Sequence, residues 1–128
     1  MPTLKQISPC FIVEDLTPSV DFYCKALGFS VTYMGPEDGP FFAIVERDSV
    51  MVMLKVITPD VAPQPNHIRH SWARWDAYVY VDDPDSLASE FEDRGVEFRE
   101  ELGDTDDGLR GFAIYDSDRY VIFFGQPQ

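Results

Sequence analysis

The sequence predicts a single α+β domain made of two copies of one βαβββ module, and three observations lead to this prediction. The length of 128 residues corresponds to one domain, large enough to bury a core without disulfide bonds. Hydrophobic residues make up 45% of the chain and charged residues 26%, as in packed globular proteins. The segment 11–29 matches 78–96, and 41–54 matches 111–124, so the chain repeats at an offset of 67 to 70 residues.

The first module extends over about residues 7–57 and is predicted to contain a strand, a helix and three more strands. The helix is expected over 18–27, because Thr17 is a suitable N-cap, Pro18 fits the first helical position and Gly28 favours termination. Apolar runs bounded by polar turns predict the strands. Their expected bounds are 7–13, 29–34, 41–46 and 50–57.

The second module extends over about residues 76–125 and repeats this order. Asp83 is the expected N-cap of its helix, Pro84 the first helical residue and Gly95 the stop. The expected strands are 76–81, 96–100, 109–115 and 120–124.

A linker, 58–75, joins the modules and contains three prolines, both histidines and both tryptophans. His67 and His70 have the spacing of a helical metal pair, but the flanking prolines favour a loop and no third ligand is evident, which disfavours a metal role. We expect Trp72 and Trp75 to pack between modules or across a dimer, with ligand contact as the alternative.

The strand at 76–81 has two different faces, because alternate side chains of a strand point to opposite sides. Asp76, Tyr78 and Tyr80 share one face, which predicts a ligand-facing surface or, as the alternative, a face open to solvent. The segment 50–56 is apolar on both faces except at Lys55, which predicts coverage on both sides and hence a cupped sheet with a cavity.

The formal net charge is −13, and residues 76–128 hold 15 acidic but only four basic groups. Such a field repels nucleic acid and anionic membrane surfaces and attracts cationic small molecules, with solubility alone as the alternative explanation. No apolar run approaches the roughly 20 residues of a membrane span, and no secretory signal is visible, so a cytoplasmic location is expected. Cys10 and Cys24 are expected to be reduced core thiols.

The tandem βαβββ repeat, with LGF at 27–29 after the first helix and a terminal hairpin in each copy, resembles the vicinal oxygen chelate superfamily. That superfamily includes glyoxalase I, extradiol dioxygenases, fosfomycin-resistance enzymes and bleomycin-resistance proteins. The resemblance covers about residues 7–125. It implies half-barrel sheets that face one another around a ligand cup, and a homodimer, because bleomycin-resistance proteins build two cups from both chains.

The resemblance also predicts where a divalent metal would be bound. The enzymes of the superfamily hold it with four residues, and the matching positions here are Ser8, Met53, Asp76 and Phe123. Only Asp76 carries a ligand that such a metal favours. We therefore expect no metal and no cofactor.

Local matches are strongest to the bleomycin-resistance branch. They are RDSV at 47–50, the alternating Tyr78 and Tyr80, and GLRGFAIYDSD at 108–118. By this resemblance, together with the strand faces, the expected ligand-binding residues are Tyr33, Phe42, Lys55, Asp76, Tyr78, Tyr80 and Arg110.

The sequence therefore predicts a metal-free protein that sequesters a cationic or aromatic antibiotic-like ligand in a cup between the modules. The alternative is an enzyme of the same superfamily, a lyase, an isomerase or a dioxygenase-like protein, acting on a small organic substrate. A degenerate domain that binds a partner protein is a third possibility, because a fold alone does not define a function.

Overall fold

A computed structural model describes all residues 1–128, and its first module forms a four-stranded sheet with one helical segment. The strand order is β1-β4-β3-β2, in which β1 runs parallel to β4 and the other neighbours are antiparallel. The elements are β1 (Cys10–Ile12), α1 (Leu16–Asp21) continued by a π-helical turn (Phe22–Ala26), β2 (Ser30–Gly35), β3 (Phe42–Arg47) and β4 (Val50–Lys55).

The second module repeats this topology in the order β5-β8-β7-β6, again with its first strand parallel to its last. A short helix in the linker precedes it. The elements are α2 (Asn66–Arg69), β5 (Ala77–Tyr80), α3 (Pro84–Asp93), β6 (Phe98–Asp104), β7 (Leu109–Tyr115) and β8 (Val121–Pro127). The predicted α+β fold of two βαβββ modules is confirmed. None of the helices combines the length and the apolar character that crossing a membrane requires.

The helix ends agree with the prediction in the second module and differ in the first. Asp83 accepts a hydrogen bond from the N–H of Ser86, and Pro84 begins α3, as expected. The prediction of Thr17 as N-cap was wrong, because α1 already begins at Leu16, whose side chain is buried in the core. Gly28 ends the segment with a φ of 77°, as its lack of a side chain permits.

The strands that differ most from their expected bounds are β1, β6 and β8. The strand expected over 7–13 is reduced to β1, because Pro9 has no N–H for the ladder and Ile7 lies almost fully in solvent. Two strands of the second module extend further than expected. There β6 extends to Asp104, and β8 extends to Pro127.

The helix-covered faces of the two sheets meet in one hydrophobic core. Nineteen buried residues from both modules form it, among them Leu54 of β4 and Phe124 of β8. Phe11 of the first module stacks on Tyr120 of the second, with 4.3 Å between ring centroids. Because the helix-covered face of each sheet packs in this shared core, the other face of each sheet points away from the core.

Polar contacts fix the junction between the modules. The Tyr23 hydroxyl donates to Oδ2 of Asp116 at 2.7 Å, and Oδ1 of Asp116 accepts the N–H groups of Asp118 and Tyr120 at 2.9 Å. Burial raises the pKa of Asp116 to about 7, although these hydrogen bonds act in the opposite direction. The Asp116 carboxyl therefore ties the last hairpin of the chain to its first helix.

An ion pair closes the other side of the junction. The guanidinium of Arg47, at the end of β3, donates to both carboxylate oxygens of Glu90 in α3 at 2.8 and 3.0 Å. It also donates to the carbonyl oxygen of Leu27 at 2.8 Å. A bidentate pair of this kind orients as well as attracts, so it sets the angle between the β3–β4 hairpin and α3.

Two expectations about burial were wrong. Val52 and Leu54 are buried, but Met51 and Met53 on the other face of β4 are only half-buried, because the chain covers that face only in part, for example by Gln6 against Met51. Cys10 shares this uncovered face and is exposed, so it is not a core thiol. Cys24 is half-buried, and both thiols are free.

Stability should depend on pH through Asp116. Its folded pKa of about 7 lies above the unfolded value of about 3.9, so this contribution is complete below pH 4 and is lost as the pH rises through 7. We expect the free energy of unfolding to fall by roughly 3 kcal/mol between pH 5 and 8.5, measured by urea denaturation.

Asp116→Asn should remove this part of the pH dependence, because the amide does not titrate. Asp38→Asn, which neutralises an exposed carboxylate in the β2–β3 turn, is the control for the change in net charge. An equal pH dependence in wild type and Asp116→Asn would show that Asp116 does not carry the effect.

Candidate functional site

The uncovered face of the second sheet carries a cluster of four aromatic rings. Phe123 of β8 lies directly opposite Tyr78 of β5, with 5.1 Å between ring centroids. Trp75 covers Phe123 at 4.2 Å, and Tyr80 extends the cluster with its ring 4.3 Å from that of Tyr78. We call these four residues the aromatic face. The sequence places Tyr78 and Tyr80 there because alternate residues of β5 share one side.

Glycines make the floor of the aromatic face flat enough for the Phe123 ring. Gly125 and Gly111 are cross-strand partners on β8 and β7. A Cβ atom at Gly125 would lie 2.5 Å from the Phe123 ring and 2.6 Å from the carbonyl oxygen of Arg110. A Cβ at Gly111 would meet the same ring at 2.6 Å. Any larger residue at these two positions would displace Phe123.

Trp75 is held over the face by residues of the linker and of β6. Its indole N–H donates to Oε2 of Glu100 at 2.8 Å. Arg74 donates to Oε1 of the same carboxylate at 2.7 Å and places its guanidinium 4.3 Å from the centre of the Trp75 ring. The tryptophan is therefore fixed in position and not mobile at the sheet surface.

Tyr78 has an unsatisfied polar atom. Its hydroxyl is shielded from solvent but has no hydrogen-bond partner in the chain. This burial, with Tyr80 and Asp107 nearby, raises the pKa of Tyr78. A buried hydroxyl without a partner costs about 1–3 kcal/mol, so the Tyr78 hydroxyl is available to a partner from outside the chain. The neighbouring Tyr80 is 73% exposed.

The uncovered face of the first sheet carries a second group of the expected site residues. Tyr33, Phe42 and Lys55 line a recess of about 480 Å³ together with Gly35, Pro36 and Phe41. We call these six residues the aromatic recess. Tyr33 lies 6.0 Å from Phe42 between ring centroids, and its hydroxyl folds back over Gly35. Phe42 and Lys55 are cross-strand partners on β3 and β4.

Asp76 lies between the two modules, with both carboxylate oxygens engaged. Oδ1 accepts the N–H of Asn66, and Oδ2 accepts the N–H of Val121, each at 2.8 Å. It borders a groove of about 530 Å³ between the β1 and β5 edges, together with Ser8 and Tyr78. Its carboxylate therefore anchors the start of α2 to β8.

Arg110 is not brought to the aromatic face. It shares the helix-facing side of β7 with Phe112, which is buried in the core. Its guanidinium donates to both oxygens of Asp85 in α3, at 3.0 and 2.8 Å, and to Asp104 at 3.2 Å. These carboxylates raise the pKa of Arg110 further above its ordinary value. The seven expected residues thus fall into two groups, with Asp76 between them and Arg110 apart.

The four positions matching the superfamily's metal ligands do not form a suitable donor set. Met53 lies on the first sheet and Phe123 on the second, and neither offers the nitrogen or oxygen donors that a divalent metal favours. Asp76 already accepts two backbone N–H groups. No three His, Cys, Asp or Glu side chains come together elsewhere as a metal-binding group. The residues present do not fit the metal.

The linker histidines have structural contacts. Nε2 of His67 lies 2.9 Å from the carbonyl oxygen of Arg119, and Nδ1 of His70 accepts the N–H of Trp72 at 3.0 Å. His67 lies in α2, where a loop was expected. Its contact with Arg119 holds this short helix against the β7–β8 hairpin.

The family model of the Glyoxalase/Bleomycin resistance protein/Dioxygenase superfamily matches residues 4–124. The chain belongs to this superfamily. The match covers both modules, in agreement with the repeat of strand order in the two sheets. No curated protein matches the sequence.

Solved structures with the same fold include proteins that bind antibiotics. The bleomycin-binding protein of bleomycin-producing Streptomyces verticillus, complexed with copper(II)-bleomycin, has a TM-score of 0.72 and 22% identity over all of both chains. TnmS3, an antibiotic binding protein from Streptomyces, has a TM-score of 0.69 and 21% identity, covering all of this chain and 98% of its own. TioX from Micromonospora has a TM-score of 0.73 and 19% identity, covering 97% of this chain and 99% of its own. These identities establish a shared fold.

Sequence reasoning placed Trp75 at the module junction and did not identify Glu100. Glu100 was not identified because the expected strand ended there, whereas β6 continues to Asp104. Strand alternation from Phe98, which packs on the core, would place Glu100 on the core side, and only the bulge between these residues brings Glu100 opposite Ala113, on the face of Phe123. Only the fold of the linker shows that Trp75 reaches it.

Gly125→Ala should destabilise the protein by about 1–3 kcal/mol, because the added Cβ meets both backbone and the Phe123 ring. Gly103→Ala on β6 is the matched control, since its Cβ would find only one atom, at 3.9 Å. We expect the control to change the free energy of unfolding by less than about 0.5 kcal/mol in urea titrations. Equal effects of the two substitutions would contradict this description of the floor.

Proposed function

We propose that this protein binds a small antibiotic-like molecule through the aromatic face and releases it chemically unchanged, without a metal. The observation that carries the proposal is the aromatic face itself. Tyr80 is largely exposed beside Tyr78, whose hydroxyl lacks a partner, and the Trp75–Phe123 stack behind them is rigid. Such a surface suits a planar aromatic ligand, because aromatic pairs contribute about 0.5–1.5 kcal/mol beyond the area that they bury.

Membership of the superfamily supports the same proposal. Two proteins of this fold are described as binding bleomycin or an antibiotic, at identities that do not by themselves transfer a ligand. The donor set at the metal positions argues against the metal-dependent chemistry of the superfamily's enzymes in this chain. Sequestration needs only a complementary surface.

We further propose that two copies complete the binding site as a homodimer. Within one chain the shared core separates the aromatic face from the aromatic recess. A second copy could place its aromatic recess opposite the aromatic face and so form two cups. Apolar side chains left half-buried on the first sheet, such as Met51 and Met53, favour such coverage.

The binding test uses Trp72→Phe protein treated with EDTA. Trp72 is 86% exposed and contributes background, so its removal leaves Trp75, in contact with Phe123, as the fluorescent reporter. Metal-free bleomycin and the neutral, planar anthracene-2-carboxamide are titrated separately. We expect saturable quenching by at least one of them and recovery of that compound with unchanged mass.

Two outcomes would contradict the proposal. Absence of binding by both compounds would show that the aromatic face is not a site for this class of ligand. Conversion of a bound compound into a product would favour the enzymatic alternative, a lyase, isomerase or dioxygenase-like activity on a small organic substrate.

Tyr80→Ala should weaken binding of the successful compound by about fivefold or more, because it removes an exposed stacking surface. The protein should remain as stable as the parent, since the side chain is mostly in solvent. Ile68→Ala, at an exposed apolar residue of α2, is the control and should leave affinity unchanged. Equal affinities of the parent, Tyr80→Ala and Ile68→Ala proteins would show that Tyr80 does not contact the ligand.

A further inference from the structure

The aromatic recess contains an ammonium group without a partner. Six of the ten lysine and arginine side chains form salt bridges with carboxylates, namely those of Lys25, Arg47, Arg74, Arg94, Arg110 and Arg119. Two others donate hydrogen bonds, Arg69 to Asn66 and Arg99 to the hydroxyl of Tyr115. The side chains of Lys5 and Lys55 have neither kind of contact.

These two lysines lie in different surroundings. Lys5 is exposed in the N-terminal segment, where water solvates its charge. Lys55 is half-buried at the end of β4 and lines the recess beside Phe42, its cross-strand partner on β3. Because no carboxylate of the chain pairs with Lys55, its ammonium is available to form a charge-assisted hydrogen bond with a bound anion.

The acidic groups of the chain do not fill this role. Glu37 and Asp38 lie in the turn between β2 and β3, which borders the recess, but both are exposed and neither is paired with Lys55. The net charge of −13 repels anions at long range, so only a short-range contact could select one. Lys55 is the group placed to make that contact.

Two aromatic rings of the chain already carry a cation of the chain itself. Arg74 lies over Trp75, and Arg119 lies 3.7 Å from the centre of the Tyr115 ring. Each guanidinium is also paired with a carboxylate, Glu100 and Glu97 respectively. Within the aromatic face, Arg74 therefore occupies the Trp75 ring, where a cationic ligand would gain a cation–π interaction.

We infer that the aromatic recess is a subsite for an acidic group, a carboxylate or phenolate, on an aromatic ligand, with Lys55 pairing to the acid and Phe42 and Tyr33 contacting the adjoining ring. This inference rests on the proposed function and narrows its ligand class. It replaces the sequence-based expectation of a cationic ligand with an anionic one. The recess volume of about 480 Å³ accommodates a ring system with one substituent.

The test compares three fluorescent compounds that share one ring system and differ in charge: anthracene-2-carboxylate, anthracene-2-carboxamide and 2-(aminomethyl)anthracene. Their binding is followed by fluorescence anisotropy. For the wild type we expect the carboxylate to bind at least about fivefold more tightly than the carboxamide, and the amine to bind no better than the carboxamide.

Lys55→Met should abolish this preference and leave carboxamide binding within about twofold, because it removes the charge but keeps the length of the side chain. Lys5→Met is the matched control, since it changes net charge equally outside the recess, and it should keep the preference. Lys55→Gln serves as a second variant should Lys55→Met fail to fold by circular dichroism.

Three outcomes would overturn the inference. Equal binding of the three compounds, with dependence on Tyr80, would leave the proposed function standing and remove the acidic subsite. Tighter binding of the amine would also leave the proposed function standing and remove the acidic subsite, and it would favour a cationic ligand. Absence of binding by all three compounds would overturn both the inference and the proposed function for planar aromatic ligands.

Discussion

Nineteen buried residues drawn from both modules form one core, and the other features of this molecule depend on that arrangement. Because the helix-covered faces of both sheets are used in the core, the remaining face of each sheet lies outside it and is covered only in part by its own chain, as Phe123 is by Trp75. The Tyr23–Asp116 hydrogen bond and the Arg47–Glu90 ion pair fix the two modules in this relation. The fold therefore supplies two open, partly apolar faces on a rigid support, the arrangement that a binding protein needs.

The two faces differ in chemistry although the modules share one topology. The aromatic face is made of rings that the protein itself orders, through Glu100 beneath the Trp75 indole and Gly125 beneath the Phe123 ring. The aromatic recess, in contrast, carries one cation without a carboxylate partner, Lys55. In the proposed homodimer, a ligand that contacts the aromatic face of one copy and the aromatic recess of the other would combine stacking with one directed charge interaction, which gives orientation as well as affinity.

Local sequence signals predicted the module order, α3 and the two faces of β5, because capping, strand alternation and internal repetition act over a few residues. The same signals did not predict features that depend on packing between residues distant in sequence. Leu16 joins α1 because its side chain is buried against the distant sheet, and Arg110 lies on the helix side of β7, where it meets Asp85. The Trp75–Glu100 contact depends on the path of a proline-rich linker, which no periodicity describes. Lys55 was selected by resemblance, but its lack of a partner could be learned only from the positions of all the carboxylates.

The most direct test of this account is a crystal structure of the protein with anthracene-2-carboxylate. The account predicts a dimer in which the ring system contacts Tyr78 and Tyr80 of one protomer while the carboxylate pairs with Lys55 of the partner subunit, and in which no metal ion contacts the ligand. A ligand bound in the groove between β1 and β5, or two copies that meet without covering the aromatic face, would contradict it.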